Sequence, residues 1–140
     1  MKGKIAILAV LVFIVSFAIE ARVVDWKYVD TGESALHYYD PQSIKWVSKD
    51  IVRVREKISY RGKGVQSHIK KFGPEYKKLS YCISLWEFNC SKEKSNLLES
   101  TDYNQDGGVI HSYTYDSPSW HFITPDSVEE KLFTIVCNSR

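Results

Sequence analysis

The stretch DYNQDGG sets Asp102, Asn104, Asp106 and Gly107 at the alternate spacing that opens a calcium loop. Calcium needs oxygen ligands at those positions and a bidentate Glu at the twelfth. The twelfth residue is Tyr113, and the flanking segments alternate as strands do, so the stretch reads as an Asx-rich hairpin turn. Cys82 would be a nucleophile if a histidine served it. No activating sequence surrounds it, and it reads as a buried strand thiol. Histidines 37, 68, 111 and 121 lack the close pairing that announces a zinc site. The RGKG run at 61–64 lacks the spacing of a phosphate loop, and there is neither a Gly-x-Ser-x-Gly elbow nor a carboxylate pair. No catalytic residue, cofactor or metal site is therefore expected, and the chain reads as a non-enzyme. Trp26, Trp46, Trp86 and Trp120 suit core and sheet faces better than base stacking, so no nucleic-acid partner is expected either.

Charge offers a second kind of chemistry. Between Arg53 and Lys78 stand nine Lys or Arg residues against two acids, Glu56 and Glu75. Between Glu99 and Glu130 stand seven acids and no Lys or Arg. Two solvated faces of opposite field explain this pattern. The sharper reading is a basic surface meeting an acidic protein or envelope component, with Lys70, Lys71, Lys77 and Lys78 as its contacts.

The N-terminus indicates the compartment. Lys2 and Lys4 precede an apolar run from Ile5 to Ile19, followed by small residues. A basic region, an apolar region and a small-x-small site make a secretory signal over residues 1–21, cleaved after Ala18 or, as second choice, Ala21. The run is shorter than the roughly 20 apolar residues that span a bilayer comfortably. A membrane role is expected only if this segment stays uncleaved, and with no cysteine behind it a lipoprotein anchor is not expected. Cleavage after Ala18 lowers the basic count from 19 to 17 against 17 acids, so net charge points to no partner.

These residues must be positioned by a single domain over 22–140. At 44% hydrophobic and 14% aromatic the chain can bury a small core. Aromatic and β-branched runs separated by turn signals argue for antiparallel strands. VDWKYVDT and ALHYYD form a first hairpin around Gly32-Glu33, and DPQSI follows as a turn. In DIVRVREKISY, Val52, Val54, Ile58 and Tyr60 share one parity, which Glu56 interrupts, so Glu56 must reach the sheet margin or find a partner. In GVQSHIKKFGP the period becomes helical through Val65, Ile69 and Phe72, and Gly73-Pro74 stops it. LSYCISLWEFNC is strand again, with apolar residues on both parities, which calls for burial on both faces or a bulge near Leu85-Trp86. SNLLESTDY and VIHSYTY make a second hairpin. A final helix is announced by Ser127 and Glu130, a capping box, and carries the apolar stripe Val128, Leu132, Ile135 and Val136.

Three cysteines then need a place. Cys90 ends a central strand and Cys137 ends the helix across the sheet, so in an exported protein these two would be oxidised together. Cys82, eight residues before Cys90 on one strand, is too far from it to pair. Cys82–Cys137 remains the competing bridge.

The segments YYDPQSI, IVRVREKISY, SLWEFNC and WHFITPDSVEEKLFTIVC together resemble the surface-adhesin protein E-like family of Gram-negative bacteria, from Trp26 to Cys137. The resemblance implies an α+β fold: an antiparallel sheet of about six strands with a C-terminal helix packed on one face and tied by a disulfide. Cys90 and Cys137 stand where the family's bridge partners belong. It also implies a small exported binding module of the periplasm or cell surface, adhesin-like, with a homodimer among its expected states. A structural envelope component and an enzyme with an unrecognised site are the rival readings. No host-binding motif of the family is recognisable, so the resemblance assigns no binding residue.

Overall fold

Alternation in Ile51–Tyr60 governs how the sheet is built. In this computed structural model, which describes residues 22–140, that segment is strand β4, and Val52, Val54 and Glu56 all face inward and are buried. The expected signal segment and both cleavage points lie outside the described residues. The strands before β4 are β1 (Lys27–Thr31), β2 (Ala35–Tyr39) and the two-residue β3 (Lys45–Trp46). Those after it are β5 (Leu79–Asn89), β6 (Lys94–Asn104), β7 (Val109–Thr114) and β8 (His121–Phe122). The main path runs β1-β2-β4-β5-β6-β7, antiparallel throughout, while β3 pairs with β4 and β8 with β6. Consecutive strands in a meander need only short turns, which the hairpins at Gly32-Glu33 and NQDGG supply.

Both expected hairpins form, and DPQSI closes as a 3-10 turn over Pro41–Ser43 whose first amide pairs with the Asp40 carboxylate. The anomaly in β5 has a physical source on the neighbouring strand. Leu85 pairs with Glu99 but Trp86 with Leu97, so Leu98 of β6 is the extra residue of a bulge. Opposite parity is also partly covered: Glu87 is buried there, bonded to Arg53 and to Asn96, whose side chain accepts from the Ser119 amide. The chain between β7 and β8 thus lies over that end of the sheet's other face.

Two helical units share one face. α2 (Val128–Cys137) starts where the Ser127 hydroxyl accepts from the Glu130 amide at 3.1 Å. Glu130 returns its carboxylate to the Asp126 amide at 2.8 Å, one residue earlier than a simple capping box. Leu132 and Val136 are buried against Val52, Val54 and Phe88, and Phe133 meets Phe88 edge-on at 5.9 Å. Of the expected stripe, Val128 and Ile135 are only half-buried. Lys131 pairs with Asp30 and fastens the helix to β1.

α1 (Gly62–Phe72) covers the other end of the same face and continues, past Gly73, into a 3-10 helix at Pro74–Lys78 that the sequence reading did not foresee. Gly73 has φ of 119°, a region that favours glycine, and its amide closes the helix on the Ile69 carbonyl. Tyr76 is buried there.

The disulfide joins Cys90 to Cys137 with Cα atoms 5.8 Å apart, and Cys82 is a free buried thiol. Of the two bridges left open by strand placement, the structure contains the one between the ends of β5 and α2. Among the described residues no helix is long and apolar enough to cross a membrane.

Candidate functional site

Between the two helical units the covered face is not filled. Ile58 and Tyr60 from β4, Cys82, Ser84 and Trp86 from β5, and Leu97, Ser100 and Asp102 from β6 share one parity through direct cross-strand pairing. Together with α1 and the end of β7 they surround an open cleft of about 330 Å³. That volume falls within the roughly 300–1,000 Å³ of small-molecule sites.

The floor of this cleft is polar. The Cys82 sulfur lies 3.2 Å from the Ser100 hydroxyl and 3.5 Å from that of Ser84. Burial pushes the thiol above its ordinary value, outweighing these hydrogen bonds, so it stays protonated near neutral pH. Asp102 is 7% exposed, and one of its carboxylate oxygens accepts from the Tyr76 hydroxyl at 3.0 Å. Burial raises both the Tyr60 and the Tyr76 phenols, and Tyr76 is held further by its bonds to Tyr113 and Asp102. Both are neutral hydroxyls at any physiological pH. The walls are aromatic: Tyr60 meets His68 edge-on at 4.5 Å, and His68 stacks on Tyr76 at 5.7 Å.

Beside the cleft, Glu56 finds the partners that its parity required. His37 Nδ1 stands 2.8 Å from one carboxylate oxygen and Trp86 donates its indole N–H to the other at 2.8 Å. His68 Nδ1 is taken by the Gly64 carbonyl at 2.8 Å, and no histidine bonds to the Cys82 sulfur among the described residues. Among the described residues no group of three or more His, Cys, Asp or Glu side chains could hold a metal ion. In the stretch that resembles a calcium loop, the Asn104 side-chain oxygen Oδ1 accepts from the Asp106 and Gly108 amides at 2.9 Å each, which is Asx-turn chemistry, while Asp102 faces the cleft.

The charge asymmetry resolves unevenly. Lys70 and Lys71 on α1 and Lys77 and Lys78 in the 3-10 helix are all exposed on the excursion between β4 and β5. Lys78 reaches Asp106 only at 4.0 Å, and the other three form no ion pair among the described residues. The acidic stretch, by contrast, is not one solvated face. Asp102 is interior, and Glu129 bonds to Ser95 beneath α2. Strand alternation sends neighbouring acids to opposite sides, so a run in sequence does not become a patch in space.

The family described as Surface-adhesin protein E matches residues 26–138. The chain is similar to the solved structure of Haemophilus influenzae protein E, at 20% identity over 78% of this chain and 89% of that one, with a TM-score of 0.46. A second crystal form shows 17% identity over 83% and 96%, with a TM-score of 0.47. Protein E from non-typeable Haemophilus influenzae shows 17% identity over 84% and 78%, with a TM-score of 0.48. No curated protein matches the chain. With the family spanning nearly all of the described residues, the chain belongs to the surface-adhesin protein E family and is an exported, adhesin-like binding protein.

Proposed function

We propose that this protein binds an acidic protein or envelope component through the basic excursion between β4 and β5, with Lys70, Lys71, Lys77 and Lys78 as contact residues. The observation that carries this reading is their exposure with little pairing: four lysines on two adjoining helical segments, whose one ion pair among the described residues is that of Lys78 with Asp106 at 4.0 Å. Segments held out by a rigid sheet commonly carry recognition. Unpaired lysines raise association rates with acidic partners through their long-range field.

A binding role instead of a catalytic one is supported by the bonds around Cys82, which are to serine hydroxyls, and by a thiol held in its protonated form. In this reading residues 1–21 are a secretory signal, and mass spectrometry of the mature protein is expected to find a start at Ile19 or Arg22. An intact Met1 in membranes would make the segment an anchor, and the lysines would then have to be read against lipid headgroups. Self-association is carried over from the family resemblance, and sedimentation of the mature protein reads it directly.

Pull-down from an envelope extract is expected to recover the partner. The quadruple reversal Lys70→Glu, Lys71→Glu, Lys77→Glu and Lys78→Glu is then expected to slow association with it and to flatten the salt dependence of binding. Stability should barely move, since exposed charges contribute within about 0.5 kcal/mol each. An unchanged association rate and salt response would reduce the excursion to a solvated face.

A further inference from the structure

The cleft on the covered face carries a ligand preference of its own, independent of the lysine reading. Its central feature is the Asp102 carboxylate, 7% exposed and lining the cleft. The Tyr76 hydroxyl satisfies one oxygen at 3.0 Å. No cation pairs with Asp102 among the described residues: its cross-strand neighbour His111 forms no ion pair with it. A buried carboxylate without a counter-ion is costly, and a cationic ligand removes that cost.

The rest of the lining points the same way. Tyr60, Trp86, Tyr113 and Tyr115 present aromatic surface, which attracts cations through the ring quadrupole. Ser84 and Ser100 supply hydroxyl oxygens able to accept from an N–H donor. His68 donates through Nδ1 to the Gly64 carbonyl, which places Nε2 on the far side of the ring from that bond. Among the described residues no Lys or Arg lines the cleft, so it offers an anion no permanent counter-charge.

We propose that the cleft between α1, β6 and the end of β7 is a binding site for an organic cation, a primary ammonium or guanidinium group. Asp102 holds its charge, and Tyr60, Tyr113, Tyr115 and Trp86 form its walls. The group is carried either by a free amine or by a Lys or Arg side chain of a bound protein.

NMR titration of the mature protein tests this, with n-butylammonium, butylguanidinium and neutral butanol as probes and the amides of Ser84, Ser100 and Asp102 as reporters. The cations are expected to shift these amides saturably and butanol is not. Asp102→Asn keeps the shape and the bond from Tyr76 but removes the charge, and is expected to weaken cation binding at least ~tenfold. Tyr115→Ala removes a wall residue that is 46% exposed, so the fold tolerates it, and is expected to weaken binding roughly threefold. This second variant decides the matter if Asp102→Asn fails to fold. A lysine tripeptide binding more tightly than butylammonium assigns the cation to a protein side chain, and equal affinity assigns it to a free amine. Butanol shifting the amides as the cations do would overturn the proposal. So would unchanged cation affinity in Asp102→Asn, or in Tyr115→Ala where the first variant does not fold.

Discussion

His37 Nδ1 stands 2.8 Å from Glu56 Oε1 in the interior of the sheet, where strands β2 and β4 run side by side. The second oxygen of Glu56 accepts from the Trp86 indole at 2.8 Å, so a carboxylate 4% exposed has both oxygens engaged. Polar burial of this kind is tolerated only when it is satisfied.

Glu56→Ala should therefore be among the most destabilising single changes in the sheet. It leaves the Trp86 N–H and the His37 ring without their acceptor and opens a gap between them. About 3 kcal/mol is expected from breaking a buried charged network of this type. Glu56→Gln keeps the shape and one acceptor and should cost about half as much. Urea denaturation of both variants measures the difference; equal and small losses would mean that the network is dispensable.

The bridge between Cys90 and Cys137 closes a sequence separation of 47 residues. Constraining the unfolded chain over such a loop contributes about 4 kcal/mol by chain entropy. Paired Cys90→Ser and Cys137→Ser substitutions should lower stability by that order, and α2 should lose protection from hydrogen exchange before the central strands do. Non-reducing peptide mapping should recover Cys90 joined to Cys137 with Cys82 free. Recovery of Cys82 joined to Cys137 would contradict the register of β5.

Legibility in the sequence followed the scale of the signal. Alternation along ten residues, broken at Glu56, made β4 plain, and the capping residues Ser127 and Glu130 announced α2. That Glu56 needed a partner followed from its parity, but His37 could not be named, because the pairing depends on register across 19 residues. β3 and β8 escaped because two residues carry no period. The cleft escaped for a different reason. Cys82, Ser84, Ser100 and Asp102 look like ordinary polar positions along two strands, and become a site only where β5 and β6 place Cys82 opposite Asp102 and Ser84 opposite Ser100. The acidic run misled because alternation splits it between interior and solvent.

Alkaline pH should destabilise the protein earlier than an ordinary sheet domain. Burial raises Cys82 above the usual thiol value of 9.0 and Tyr60 above the usual phenol value of 10.0. Above about pH 9 the unfolded chain releases these protons while the folded chain keeps them, so the unfolded state binds fewer protons and stability falls as pH rises. Below that range their contribution is fully present. Chemical denaturation from pH 7 to 11 should show the decline, and Cys82→Ala combined with Tyr60→Phe should lessen it, with Tyr76, whose phenol burial also raises, accounting for the remainder. A decline of the same slope in the double variant would place its origin elsewhere.

Gly64 and Gly62, two residues apart at the start of α1, should respond oppositely to alanine. A Cβ at Gly64 would lie 2.6 Å from the Ser34 carbonyl oxygen and 3.1 Å from a Tyr60 ring carbon, whereas one at Gly62 meets nothing within 4 Å. The Ser34 oxygen is backbone and already accepts from the Arg61 amide at 2.8 Å, so it cannot yield without disturbing the β1–β2 hairpin. Alanine in a helix gains up to about 1 kcal/mol over glycine. At Gly62 that gain is unopposed, and the variant should be slightly more stable. At Gly64 an overpacking cost of about 1–3 kcal/mol outweighs it, and the displacement of Tyr60 should reach the cleft wall. Paired urea midpoints test the contrast, and a Gly64→Ala protein as stable as Gly62→Ala would show that α1 is free to shift away from the hairpin.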